Sequence, residues 1–181
     1  MSRRTQNWLV LFGVAALVLI ADSVSKTLVA NNLSLYEARV PPVLDRFVQI
    51  TYTTNTGAAF GLFPNHGTFF VVVAVVIIVA IIVYYRQLPD GYALARVALG
   101  LQLGGAVGNL IDRLRQGYVV DFIDLNFWPL QDWPIFNLAD SAVVVGVVLL
   151  AFSMLREDMR RLDDELDASE GDAAGEQSAS T

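Results

Sequence analysis

Six ionisable residues stand inside or beside stretches that are otherwise apolar: Asp22, Lys26, Asp112, Arg113, Asp121 and Asp140. An ionised side chain at the centre of an apolar span costs roughly 2.5 kcal/mol or more, so each needs a partner or a task. Asp22 and Lys26 are four residues apart with the acid first, the order that pairs them best along a helix. Asn109, Asp112 and Arg113 cluster within little more than one helical turn. Asp121 and Asp140 lie 19 positions apart, flanking a loop between two apolar segments. If those segments form a helical hairpin, both carboxyls come to one end of it. Two facing carboxyls can share a proton and activate a water, the chemistry by which paired aspartates hydrolyse peptides. Asp140 alone has a plainer role, because an Asp ahead of an apolar run caps a helix.

Other chemistries are poorly supplied. The chain has no Cys and a single His, His66, which excludes thiol catalysis, disulfides and Cys-based metal sites and disfavours a Ser–His–Asp triad. His66, between Asn65 and Gly67, reads as a solvated loop residue. Ser23 or Ser25 with Lys26 could form a Ser–Lys dyad, but adjacent helical side chains diverge and Asp22 competes for the ammonium. Ser141, beside Asp140, has no base near it in sequence. The glycines before Asn109 are no phosphate loop, since Asn109 stands where the Lys is required and no hydroxyl comes next. Gly100, Gly104 and Gly108 instead recur every four residues, a small-residue stripe that lets another helix approach closely.

The elements that position these residues are membrane spans. The chain is 55% hydrophobic and only 17% charged, against about a quarter charged in soluble domains. Residues 69–85 run for 17 positions with only aliphatic and aromatic side chains, just long enough to cross about 30 Å of hydrocarbon. Lipid offers the backbone no partner but itself, so even Val- and Ile-rich runs become helices there. The expected helices cover about residues 8–30, 68–86, 92–114 and 139–156. The first, preceded by Arg3 and Arg4, has the look of a secretory signal peptide but lacks a small-x-small cleavage site and reads as an uncleaved span.

Basic residues flank one side of this layout: Arg3, Arg4, Arg86, Arg96, Arg156, Arg160 and Arg161. The positive-inside bias puts both termini in the cytoplasm and the loops 31–67 and 115–138 outside. Seven of the 18 acidic residues (Asp163, Asp164, Glu165, Asp167, Glu170, Asp172 and Glu176) fall in 162–181, where there is no basic residue. The body, residues 1–161, is therefore nearly neutral, and the acidic end reads as a disordered tail. No basic run suggests nucleic acid. In the first outer loop Val48, Ile50 and Tyr52 alternate with Gln49, Thr51 and Thr53, a strand pattern. Asn55-Thr56-Gly57 reads as a turn, and Gly61 and Pro64 act as breakers beyond it. The fold class expected is all-α, four membrane helices with a small β-rich subdomain in the first outer loop.

Five segments together resemble the motif blocks of bacterial lipoprotein signal peptidases (signal peptidase II). They are Asp22-Ser23-Val24-Ser25-Lys26, Asn55-Thr56-Gly57-Ala58-Ala59-Phe60-Gly61, Gly108-Asn109-Leu110-Ile111-Asp112-Arg113, Val119-Val120-Asp121-Phe122 and Phe136-Asn137-Leu138-Ala139-Asp140-Ser141. Order, spacing and the four-span layout agree over roughly residues 8–155. The resemblance implies an intramembrane aspartic endopeptidase of the bacterial inner membrane. It would remove signal peptides from prolipoproteins, cutting on the N-terminal side of a diacylglyceryl cysteine. Asp121 and Asp140 would be the catalytic pair. Asn55, Gly57, Asn109, Asp112, Arg113, Asn137 and Ala139 would support the pair or the substrate, while Asp22 and Lys26 match a structural block. The family uses no metal or organic cofactor, and the partners implied are prolipoproteins and membrane lipids, with the enzyme acting as a monomer. The rival reading is a small transporter or assembly factor using Asp22, Asp112 and Asp140 as a relay. A relay spreads acids across the bilayer depth, whereas a surface protease gathers them at one face.

Overall fold

A computed structural model describes residues 3–40, 47–57 and 67–179. Four helices, α1 (Arg3–Asn32), α2 (Gly67–Gln87), α3 (Ala93–Gln116) and α4 (Leu138–Ala179), alternate with three strands, β1 (Ala38–Arg39), β2 (Val48–Asn55) and β3 (Val119–Leu125). Each helix holds a stretch long and apolar enough to cross a membrane. Ala58, Ala59, Phe60, Gly61, Pro64 and His66 lie outside the described residues.

Helix α3 is the hub, packed against each of the other three. Its glycines make that possible. A methyl group built on Gly104 would stand 2.7 Å from the Ala15 carbonyl oxygen and 2.7 Å from Val18 Cβ, so α1 lies directly on the glycine face. Gly105, one position round, is pressed in the same way against the Ala139 backbone of α4. At the end carrying the chain termini, Leu11, Ile81, Tyr85, Leu99 and Leu103 form one core. Arg96, counted among the flanking basic residues in the sequence, is buried there. Its guanidinium stacks 5.1 Å over Tyr85 and donates to the Leu88 and Pro89 carbonyls, closing the α2–α3 connection.

The opposite end carries the sheet, ordered β1-β2-β3 and antiparallel throughout. Here the structure adds what the sequence pattern lacked. The third strand comes from the connection between α3 and α4, so the β-subdomain is not confined to the 31–67 loop. β2 pairs Ile50 with Ile123 but Thr53 with Asp121, three steps against two, so a bulge lies between them. Residues paired across an antiparallel ladder share a face, and the bulge breaks the alternation read from Val48, Ile50 and Tyr52. Asn55, opposite Val119, thereby lies on the face of Asp121. Val29, Leu33 and Phe122 form a second core beneath the sheet and tie it to α1.

Helix α3 stops at Gly117, whose left-handed φ of 81° lets its N–H donate back to the Arg113 carbonyl. Helix α4 outruns its expected end near residue 156 and continues to Ala179, through residues that composition alone reads as a disordered tail. The physical reason is continuity: a segment that extends an existing helix avoids the cost of nucleating one, and Arg, Glu, Leu and Ala are good helix formers.

Candidate active site

The site forms where α1, α3, α4 and β3 converge at the sheet end. It begins with the start of α4. Asn137, fully buried, is the N-cap: its Oδ1 accepts the Asp140 N–H at 2.9 Å, and the Asp140 Oδ2 accepts the Asn137 N–H at 3.2 Å. This reciprocal capping box corrects the expectation that Asp140 itself is the cap; Asp140 sits at the third helical position. The Ala139 N–H, another donor without a partner inside the helix, is met at 3.0 Å by Asp22 Oδ1 from α1. A carboxylate at a helix start also matches the helix dipole.

Lys26 is the electrostatic centre. Its buried ammonium lies 2.7 Å from Asp22 Oδ2, 2.7 Å from Asp112 Oδ2 and 3.0 Å from Asn109 Oδ1. The Asp112 contact is outside hydrogen-bond geometry and acts as a charge–charge contact. The i,i+4 pair read from the sequence is therefore part of a larger network. Because Lys26 holds the Asn109 oxygen, the Asn109 amide group points its Nδ2 at Asp140 Oδ1, 2.7 Å away.

Asp121 reaches the same point from β3. Asn137 Nδ2 donates to its Oδ1 at 2.6 Å and Asn55 Nδ2 to its Oδ2 at 3.0 Å. Asn55 is itself held by a turn, its Oδ1 accepting the Gly57 N–H at 2.9 Å. The Gly57 carbonyl in turn accepts from Arg113 Nη2 at 3.2 Å, and the Arg113 guanidinium lies 5.4 Å over the Phe70 ring. Each oxygen of Asp121 and of Asp140 thus has a neutral N–H donor, and Asn137 touches both residues. Burial first, and then the charge of Asp140, push the Asp121 carboxyl up to about 6.

Both aspartates open onto a groove of about 740 Å³ that runs over α3 between α2 and α4. Its head is polar, with Asn55, Asn109, Arg113, Asp121 and Asp140, and its length is lined by apolar residues such as Val73, Ile77, Ala106 and Val144. The nucleophile alternatives lose their geometry. Ser25 Oγ donates to the Asp22 carbonyl, Ser141 Oγ to the Asn137 carbonyl, and Lys26 is committed to Asp22, Asp112 and Asn109. Every site residue expected from the sequence lies in this one assembly. The acids gather at one end of the bundle, the arrangement that separates a protease from a relay. No group of three His, Cys, Asp or Glu arranged to hold a metal occurs among the described residues.

Comparison with known proteins agrees with this layout. Residues 14–156 match the family model described as signal peptidase (SPase) II. A lipoprotein signal peptidase of Moorella thermoacetica is 48% identical over 142 residues, spanning 78% of this chain and 90% of that one. Another, from Geobacter metallireducens, is 44% identical over 161 residues, spanning 87% of this chain and 98% of its own. A solved bacterial membrane enzyme superposes with a TM-score of 0.70 at 35% identity, over 80% of this chain and 87% of that one. The matched segment contains α2, α3, every strand and all the site residues, and on that footing the chain belongs to the signal peptidase II family, as a multi-pass membrane peptidase.

Proposed function

We propose that this protein is an aspartic endopeptidase that removes signal peptides from prolipoproteins, cutting ahead of a diacylglyceryl cysteine with Asp121 and Asp140 as the catalytic pair. The observation that carries the reading is the pairing of these two carboxyls through Asn137 at the polar head of an otherwise apolar groove. A signal helix with a lipid beside its scissile bond needs such a surface: apolar where the helix and acyl chains lie, polar where water attacks.

Asp121 is the proton holder, since burial and the charge of Asp140 raise its affinity for a proton. Asp140, at the first turn of α4 and open to the groove, is the base. Asp140 takes a proton from water as the water oxygen attacks the scissile carbonyl, and Asp121 gives its proton to that carbonyl oxygen. Collapse of the tetrahedral species breaks the C–N bond and passes a proton from Asp140 to the leaving amine, while Asp121 regains its own from the gem-diol hydroxyl that becomes the carbonyl of the new carboxyl group. Every proton comes from the water or the pair, so the reaction requires no cofactor. Asn109 and Asn137 hold the two carboxyls in place, Arg113 and Gly57 shape the groove head, and Asp22, Lys26 and Asp112 fix Asn109.

The basic residues flanking the bundle end away from the sheet support cytoplasmic termini and a site at the outer face of the bacterial inner membrane. Residues 1–161 form the peptidase unit, a monomer in contact with membrane lipid, and 162–181 an acidic cytoplasmic extension. The test is cleavage of a diacylglyceryl prolipoprotein by purified protein in detergent, comparing wild type with Asp121→Asn and Asp140→Asn of matched folding. Near-complete loss in both supports the pair; activity retained in either removes that residue from it.

A further inference from the structure

Gln102 lines the groove below its polar head, where the surrounding wall is Ile77, Ala106, Val143 and Val144. It sits seven residues, about 10 Å of helix rise, from Asn109 on α3. Its stem lies against Gly146 of α4, where any larger residue would meet Gln102 Cγ at 2.7 Å, so α4 is cut away to admit this side chain. Its Nε2 is buried and has no hydrogen-bond partner among the described residues. Rotation about the last side-chain torsion exchanges Nε2 and Oε1, so the amide can offer the groove either a donor or an acceptor. An amide NH2 buried without a partner at membrane depth is costly, and its natural partner is another polar group arriving there.

A substrate brings such groups. A peptide bond within a helix has its carbonyl engaged, so the signal segment must unwind near the cut, and each unwound residue exposes an N–H and a C=O in an apolar groove. We propose that Gln102 is a positioning residue whose side-chain amide pairs with the backbone of this unwound segment. At about 3.3 Å per extended residue, the contact falls about three residues before the scissile bond. This rests on the signal-peptidase reading, and it makes the enzyme recognise an unwound backbone there rather than a particular side chain.

Gln102→Met conserves volume and removes both hydrogen-bonding functions. With diacylglyceryl prolipoprotein as the probe, kcat should fall about tenfold while KM changes little, because the contact forms only once the segment has unwound. A second substrate carries an ester in place of the amide at the third residue before the cut, which deletes one backbone N–H and weakens the adjoining carbonyl as an acceptor, so that pairing with either end of the Gln102 amide is read. Wild type should cleave it about tenfold more slowly than the amide substrate, and Gln102→Met should cleave both at similar rates. Unchanged kcat in a folded Gln102→Met protein, or an ester penalty of equal size in both proteins, overturns the proposal. A fall in melting temperature with KM and kcat both impaired and an undiminished ester penalty would mark a packing role and overturn it as well. Wild type that cleaves no lipidated prolipoprotein defeats the parent reading, whereas an active wild type with an indifferent variant defeats only this one.

Discussion

Asn137 and Asp140 hydrogen-bond each other twice, side chain to backbone in each direction, while the Asn137 amide reaches on to Asp121. One residue therefore starts helix α4 and sets the spacing of two carboxyls that come from different elements. The structural and chemical parts of that role are separable. Asn137→Ser keeps an oxygen able to cap α4 but has no amide group for Asp121, whereas Asn137→Ala loses both. The serine variant should melt close to wild type yet cleave at least about tenfold more slowly; the alanine variant should add about 1 kcal/mol of destabilisation. Melting curves beside cleavage rates check this, and equal stability of the two variants would remove the cap from the account.

Asp121 links catalysis to pH-dependent stability. Its folded carboxyl is pushed up to about 6 from an ordinary 3.8, so the folded state holds this proton more tightly than the unfolded state does. The resulting stabilisation is complete below about pH 4 and is lost as pH rises through 6. A two-unit shift corresponds to about 3 kcal/mol, reduced in practice because an asparagine presents its own N–H groups to Asn55 or Asn137. Asp121→Asn stays neutral and escapes the loss. Its melting temperature should exceed that of wild type at pH 8, and the gap should close by pH 4. A gap independent of pH would show that Asp121 is not proton-rich in the folded protein.

Lys26 neutralises a buried carboxylate, Asp22, and a half-buried one, Asp112, at once. Removing one member of a buried charge cluster is far worse than never having had it, because the partners stay buried without compensation. Lys26→Met should cost about 3–5 kcal/mol and release the Asn109 amide, lowering activity along with stability. Adding Asp112→Asn to that variant should recover part of the stability but little activity, since Asn109 stays unheld. Chemical denaturation of the single and double variants, with a cleavage assay on each, reads both effects. If the second substitution restores activity fully, Lys26 acts through charge balance alone.

The parts of this molecule legible in its sequence are those with local causes. Residues 69–85 can only be a span, and the Gly100–Gly104–Gly108 stripe arises from a period of four. Asp121 and Asp140 converge because a hairpin leaves them no alternative. The rest depends on partners far along the chain. β3 takes its pairing from β2, some 70 residues before it, and the bulge that turns Asn55 towards Asp121 exists only in that pairing. Two signals were nonetheless present. Val119, Val120, Phe122 and Ile123 favour a strand, and Asn137 three residues before Asp140 has the spacing of a capping box. Gln102 gave no signal at all, because an amide in an apolar run is informative only once the groove beside it is known.

Asn55 offers the sharpest probe of the Asp121 environment, since one substitution keeps its shape and its turn while inverting its message. Asn55→Asp retains an oxygen for the Gly57 N–H but replaces the Nδ2 donor to Asp121 with a second oxygen. At low pH the introduced carboxyl is protonated and can still donate to Asp121, so the variant should melt near wild type. As pH rises the two carboxyls face each other across a hydrogen-bond distance in a buried site, with Asp140 already near. One must keep its proton or the contact must open. The variant should therefore lose melting temperature relative to wild type between pH 4 and pH 8, opposite in sign to Asp121→Asn. Its cleavage rate near neutrality should fall below that of Asn55→Ala, which removes the donor without adding charge. Melting temperatures of the three proteins at pH 4 and pH 8 suffice. A flat difference for Asn55→Asp would mean that Asn55 does not face Asp121 in the working enzyme, and the bulge that aims it would lose its function.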